Sequence, residues 1–191
     1  MTIIKSRLPN APLEYNDSWG NALVRAIDQT AGDTITALEN INSTPGYFGS
    51  FFSNQTQTAA ATSTPYAVTL NNTYRANQVG VVSNSRITVK NRGTYNLQFS
   101  VQVQQTVGGD HFVWIWFRRN GVNIADSTGK FAIQGNKGEL IPSWNFIIDL
   151  KASDYVEVMW AVENTGIRLL NEPSTAFCPA IPSAIVTIVS I

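Results

Sequence analysis

The sequence is short of charge. Of 191 residues only 14% are Asp, Glu, Lys or Arg, and the 13 basic side chains cancel the 13 acidic ones. Globular chains usually carry about 25%. A nucleic-acid binder neutralises phosphates with Lys and Arg and would tip that balance, so nucleic acid is excluded as a partner. The chain has one cysteine, Cys178, and one histidine, His111. That excludes an intrachain disulfide framework, a multi-cysteine metal site and the two-histidine zinc motifs. No stretch approaches the roughly 20 apolar residues of a membrane span. The opening MTIIKSRL lacks the apolar run of a signal peptide. No glycine-rich phosphate loop leads from a strand into a helix. The expectation is a soluble chain made in a cytosol, with no membrane partner and no cofactor, whose sequons at Asn42, Asn54 and Asn71 carry no glycan.

What is present suits β-structure. The chain is 43% apolar and holds 18 Asn and 18 Thr. Its length fits one globular domain plus an appendage, and a domain of that size buries about 70% of the surface its unfolded chain exposes. A surface of amides and hydroxyls in place of charge fits protein contacts better than free diffusion.

Composition changes twice along the chain. Residues 1–45 read as an arm and an amphipathic helix. Pro9 and Pro12 keep the first part extended. From Asp17 and Ser18, either of which can cap a helix, the residues Trp19, Leu23, Ile27, Ala31, Ile35, Leu38 and Ile41 recur every three or four positions. They form one apolar stripe on a helix about 37 Å long. Gly32 predicts a break or kink, and Pro45-Gly46 predicts the end. A striped helix with no helical neighbour needs a partner, either copies of itself or another protein's surface. Residues 46–65 read as a linker or docked loop, in which Phe48, Phe51 and Phe52 predict partial packing. Residues 66–191 read as β throughout.

Strands are predicted at 66–71, 79–82, 86–90, 93–105, 111–119, 122–126, 143–150, 154–163, 167–170 and 183–191. In 93–105 the residues Tyr95, Leu97, Phe99, Val101 and Val103 alternate with Asn96, Gln98, Ser100, Gln102 and Gln104. Asn120-Gly121 is the firmest turn, since both residues tolerate the positive backbone angles of a tight hairpin. Short strands with no helix between them imply an antiparallel sandwich or barrel.

The order of these pieces resembles the jelly roll of the C1q and tumour-necrosis-factor families. The matching residues are Gly93-Thr94-Tyr95, WIWFRRNGVNI (114–124), WNFIIDLKASDYVEVMWAV (144–162) and the closing AIVTIVSI (184–191). The resemblance covers about 66–191. It implies an antiparallel jelly-roll β-sandwich and assembly as a trimer through apolar sheet faces. It departs from the family in having no collagen repeat and no carboxylate cluster of the calcium-binding kind. The first 45 residues resemble short tailed-phage virion proteins, which begin with a Pro-rich arm, a Tyr and a Leu-Val-Arg helix; here these are Tyr15 and Leu23-Val24-Arg25.

Catalytic constellations are thin. His111 follows Asp110, but neighbours on a strand point to opposite faces. Cys178 reads as a small buried hydrophobe. Asp149, Asp154, Glu157 and Glu163 could pair for glycoside hydrolysis, or be solvated strand residues. No catalytic or metal residue is assigned, and the chain is read as non-enzymatic.

The aromatic surplus says more. In 112–117 both faces are apolar, with Val113, Ile115 and Phe117 on one and Phe112, Trp114 and Trp116 on the other. In 155–161 Tyr155 and Met159 share the face of Glu157, opposite Val156, Val158 and Trp160. An antiparallel sandwich usually keeps one face wet, so a second buried face means a neighbouring subunit, a cover or a binding platform. Phe112, Trp114, Trp116, Tyr155 and Met159 are assigned to a homotrimer interface. Trp19, Leu23, Ile27, Ile35 and Leu38 are assigned to a virion anchor. With the resemblances, this reads as a homotrimeric phage virion protein that decorates or cements the capsid, its partner a major capsid protein or another virion protein. The alternative is a tail-fibre or receptor-binding tip that contacts host glycans.

Overall fold

The structure, a computed structural model, describes residues 17–43 and 46–191, with helix side chains described for Ser18 and for residues 20–35. The expected N-terminal arm and the side chains of Trp19, Leu38 and Ile41 lie outside the described residues. The chain divides into two units, Met1–Pro45 and Gly46–Ile191.

In the first unit α1 (Asp17–Ser43) is unbroken. The break predicted at Gly32 does not occur: a lone glycine costs about 1 kcal/mol against alanine but removes no backbone hydrogen bond. The hydroxyls of Thr30 and Thr34 donate to the carbonyls of Ala26 and Thr30 one turn back, at 2.7 and 2.8 Å.

The second unit runs through β1 (Phe48–Ser53), β2 (Gln57–Thr58), β3 (Tyr66–Ala67), β4 (Asn72–Asn77), β5 (Val79–Val82), β6 (Arg86–Val89), β7 (Gly93–Val101) and β8 (Val103–Gln105). It continues through β9 (His111–Arg119), β10 (Val122–Asn123), β11 (Gly129–Ile133), β12 (Glu139–Leu140), β13 (Ser143–Leu150), β14 (Tyr155–Val162), β15 (Ile167–Leu169) and β16 (Ala184–Ser190). The first sheet has the order β13-β7-β16-β1-β4. The second has β10-β9-β14-β6-β5, with β11 also on β9 and β3 also on β14. A small third sheet is β12-β8-β15-β2. Long strands alternate between the two main sheets, from β6 to β7, β13 to β14 and β14 to β16, and neighbours in each sheet are antiparallel. This is a jelly-roll β-sandwich.

The core lies between the main sheets. Tyr95, Leu97, Phe99 and Val101 of β7 and Val186 and Ile188 of β16 belong to one cluster with Val113, Ile115 and Phe117 of β9 and Val156, Val158, Trp160 and Val162 of β14. Aromatic contacts lock it: Trp144 meets Phe99 edge-on at 4.3 Å and stacks on Phe131 at 5.7 Å. The Asn120-Gly121 turn has φ of 48° and 82°, as its residue types predict.

Three expectations need correction. Residues 46–65 are not a linker, because β1 lies inside the first sheet, hydrogen-bonded to β16 on one side and β4 on the other. Its inward positions are Gly49, Phe51 and Ser53, and Phe51 is fully buried. Gly49 is required there: a Cβ would stand 2.4 Å from the Phe51 ring. The single strand predicted at 93–105 is two, since the chain leaves the first sheet at Gln102 and β8 enters the third. Strands β4 and β11 stand where none was predicted.

Candidate functional site

The outer face of the second sheet carries the aromatic surplus. Strand alternation sends Val113, Ile115 and Phe117 into the core and turns Phe112, Trp114, Trp116 and Arg118 outward. Antiparallel pairing sets Met159 beside Trp116, Ala161 beside Trp114 and Glu157 beside Arg118. Trp116, Met159 and Ala161 form a small second core, with Ala67 of β3 and Trp114 packed against it. Lys130 of β11 places its ammonium 3.6 Å from the Phe112 ring centre and 5.6 Å from that of Trp114.

Between these aromatics runs an open groove of about 380 Å³. Trp114, Trp116 and Ala161 line it with Ser63 and Pro65 from one loop and Asn123, Ile124 and Thr128 from another. Both loops are pinned to the sheet. Ser63 N donates to Val162 O at 2.8 Å, and Ser63 holds a positive φ of 53°. The Ser127 hydroxyl accepts from Phe117 N at 3.1 Å and donates to Ile124 O at 2.8 Å. Trp116 Nε1 donates to Asn123 Oδ1 at 2.9 Å.

The residues assigned to a trimer interface are therefore brought together only in part. Phe112 and Trp114 are half-buried and accessible. Met159 is 1% exposed, already covered within its own chain, which corrects its assignment as a contact residue. Tyr155 stands apart from the tryptophans, with the Arg86 guanidinium 4.8 Å from its ring centre.

The opposite face of the sandwich is the more open one. On the outside of the first sheet the register aligns Ile147, Asn96, Val189 and Phe48 in one row, Asn145, Gln98, Thr187 and Ser50 in the next, and Ser143, Ser100, Ile185 and Phe52 in a third. Ile147 is 58% exposed, and Ile185 and Val189 are exposed as well. Across β13, β7, β16 and β1 these rows carry no charged side chain. On the edge strand β4 the second row ends in Arg75, paired with Ser50 and lying over the Phe48 ring, and Asp149 lies one row further along β13. Sequence reasoning passed over this face, although Ile147 on the polar side of β13 marks it.

Among the anchor residues Leu23 is half-buried, while Ile27 and Ile35 are exposed by 52% and 56%, with Val24 beside them. No described helix is long and apolar enough to cross a membrane.

The acid–base candidates are tied into structure. Asp149 Oδ1 accepts the Thr94 hydroxyl at 2.7 Å. Asp154 accepts Asn120 Nδ2 at 2.7 Å and Lys151 N at 2.9 Å, which hold its carboxyl below the usual range, the backbone bond most. Glu163 Oε2 accepts Phe112 N at 2.9 Å. Glu157 is buried against Ser85 and Arg118. His111 Nε2 lies 3.3 Å from Gly108 O and 3.4 Å from the Asn164 amide. Cys178 is not the buried hydrophobe expected: it is partly exposed in a tight loop, 3.1 Å from the Thr175 hydroxyl. Among the described residues no three metal-ligating side chains gather.

No protein-family model matches the sequence, and no curated protein matches it. Among solved structures the chain is similar to the globular domain of zebrafish complement 1qA protein. The identity is 16%, over 77% of this chain and 98% of that one, and the TM-score is 0.47. The jelly-roll assignment rests on the strand order and register of this chain.

Proposed function

We propose that the chain is a non-enzymatic structural protein of a tailed-phage virion, a homotrimeric jelly-roll head that decorates or cements the capsid through its N-terminal helix. The observation that carries this reading is α1, whose Ile27 and Ile35 are exposed and belong to the apolar stripe of the sequence. Burying such side chains contributes about 1.5–3 kcal/mol each. A trimer multiplies three weak anchors into one firm attachment through effective concentration. The virion setting comes from the resemblance of the first 45 residues, through Tyr15 and Leu23-Val24-Arg25, to short phage virion proteins.

The trimer itself is better served by the first sheet than by the tryptophan face. A rotation axis brings every residue near it against its own copy, so a like charge there would repel itself. On β13, β7 and β16 the rows through Asn96, Gln98, Thr187 and Asn145 hold no charge, the one cation of these rows being Arg75 on the edge strand β4. Their amides and hydroxyls both donate and accept.

The test mixes purified capsids with the full chain and with a chain beginning at Gly46. Sedimentation of the full chain alone with the capsid supports the reading. Sedimentation of both puts the anchor on the sandwich, and sedimentation of neither removes the capsid as partner. A tail-fibre or receptor-binding tip is the second reading, and the open groove floored by Trp114 and Trp116 favours it.

A further inference from the structure

We infer that the groove over Trp114 and Trp116 is a binding site for a neutral saccharide. The inference deepens the second reading above and rests on it for its biological setting, while the site itself follows from the groove.

A pyranose ring presents two chemistries: a face of C–H groups and a rim of hydroxyls that donate and accept. The groove offers a match for each. Its floor is made of two indole side chains and the Ala161 methyl, and its walls carry the Asn123 amide and the hydroxyls of Ser63 and Thr128. Such sites are mostly apolar with a few placed polar groups, and about 300 Å³ is the lower end of their size. The groove's roughly 380 Å³ accommodates one or two sugar rings.

The polar groups are aimed before any ligand arrives. Asn123 Oδ1 accepts the Trp116 indole N–H at 2.9 Å, which fixes the amide and leaves Nδ2 to donate. The Ser63 wall is held to Val162 and the Ile124–Thr128 wall is held through Ser127. A prepositioned site loses little entropy on binding.

The same residues argue against other ligands. None of the lining side chains is charged, so an anion or a cation finds no counter-charge. The nearest ammonium, Lys130, is seated on the Phe112 ring. An apolar ligand would leave the Asn123 and Thr128 groups without partners.

The test uses the full chain, neutral oligosaccharides built from glucose, galactose, mannose or N-acetylglucosamine, and sialylated oligosaccharides as the acidic control. Calorimetry and tryptophan fluorescence report binding. At least one neutral sugar should bind saturably with Kd at or below about 1 mM, a range in which weak single sites are measurable. Trp114→Ala should weaken it at least ~10-fold and Asn123→Ala by ~3–10-fold, as expected for a lost stacking face and a lost hydrogen bond. Trp114 is half-exposed and Asn123 is exposed, and circular dichroism will confirm that both variants fold. Absence of neutral-sugar binding, binding by acidic sugars alone, or unchanged affinity in both variants overturns the inference. Adsorption of the full chain to host cells separates the two levels: adsorption that survives Trp114→Ala together with unchanged neutral-sugar binding in that variant overturns this site and leaves the receptor-tip reading standing. No adsorption by the unaltered chain, with neutral sugars still bound, overturns that reading and supports the site.

Discussion

Arg118 closes on Glu157 from the neighbouring strand, its Nε at 2.9 Å and its Nη2 at 2.8 Å from the same carboxylate oxygen, Oε2. The two residues stand directly opposite in the β9–β14 register. The other oxygen accepts the Ser85 hydroxyl at 2.8 Å, and Glu157 as a whole is 2% exposed. A carboxylate that far from water needs each of these partners. The arrangement also removes Glu157 from the list of available acids and bases.

Arg118→Met leaves that carboxylate with Ser85 and with Arg86, whose Nε lies 4.0 Å from Oε1, and should destabilise the chain by about 2–4 kcal/mol. In a thermal melt this is a fall of roughly 5–15 °C. Adding Glu157→Leu should recover much of the loss, since an apolar pair has no charge to solvate. A double variant no more stable than the single one would show that the two residues are not coupled.

Asp154 predicts acid sensitivity with a definite sign. Its carboxyl is held below the usual value, near 3.9, by Lys151 N–H first and Asn120 second. A depressed folded value stabilises the protein above the unfolded value, and that stabilisation is lost as pH falls through the folded value. Asp154→Ala should therefore melt below the unaltered chain at pH 7, with the gap closing below about pH 4. A gap that stays constant down to about pH 2 refutes the titration account.

A chain starting at Gly46 should fold cooperatively, because the β unit begins there. One starting at Tyr66 lacks β1 and should not, since β16 and β4 lose their shared partner and the place of Phe51 in the core empties. Losing a fully buried Phe side chain alone costs about 3–5 kcal/mol. Circular dichroism melts of the two chains decide it, and a sharp transition in the shorter one would contradict the register.

In solution the assembly should weigh about three times the 20.9 kDa of one chain. Gln98→Glu sets one charge per copy on the first sheet's outer face and should release monomers at micromolar concentration. Trp114→Ala should leave the mass unchanged. Sedimentation that gives the opposite pattern returns the interface to the tryptophan face.

The sequence is readable where alternation coincides with hydrophobicity, as in Tyr95 to Val101, or where a strand is apolar on both sides, as in 112–117. It fails at β1, where two of the three inward positions are Gly49 and Ser53 and the Phe51 ring fills the space above the glycine. It fails at β4, whose residues are mostly exposed at the sheet's edge and show no buried stripe. The groove was half-legible. Trp114 and Trp116 announced an unusual face, but its walls come from Ser63 and Pro65, about fifty residues upstream, and from a loop after the hairpin. Met159 could not be told from an interface residue, because its cover is Ala67, remote in sequence.

The seat of β16 has a consequence for biosynthesis. This strand lies between β7 and β1, so the first sheet is two fragments until β16 is available. Its pairs with β1 join residues as far apart as Phe48 and Val189. Contacts of such separation make folding slow. The sandwich therefore completes only once β16 has been made, and until then β7 and β1 each present a bare edge that another copy's β16 can fill. Strand exchange between copies is thus the characteristic misassembly to look for when the protein is made fast or in excess.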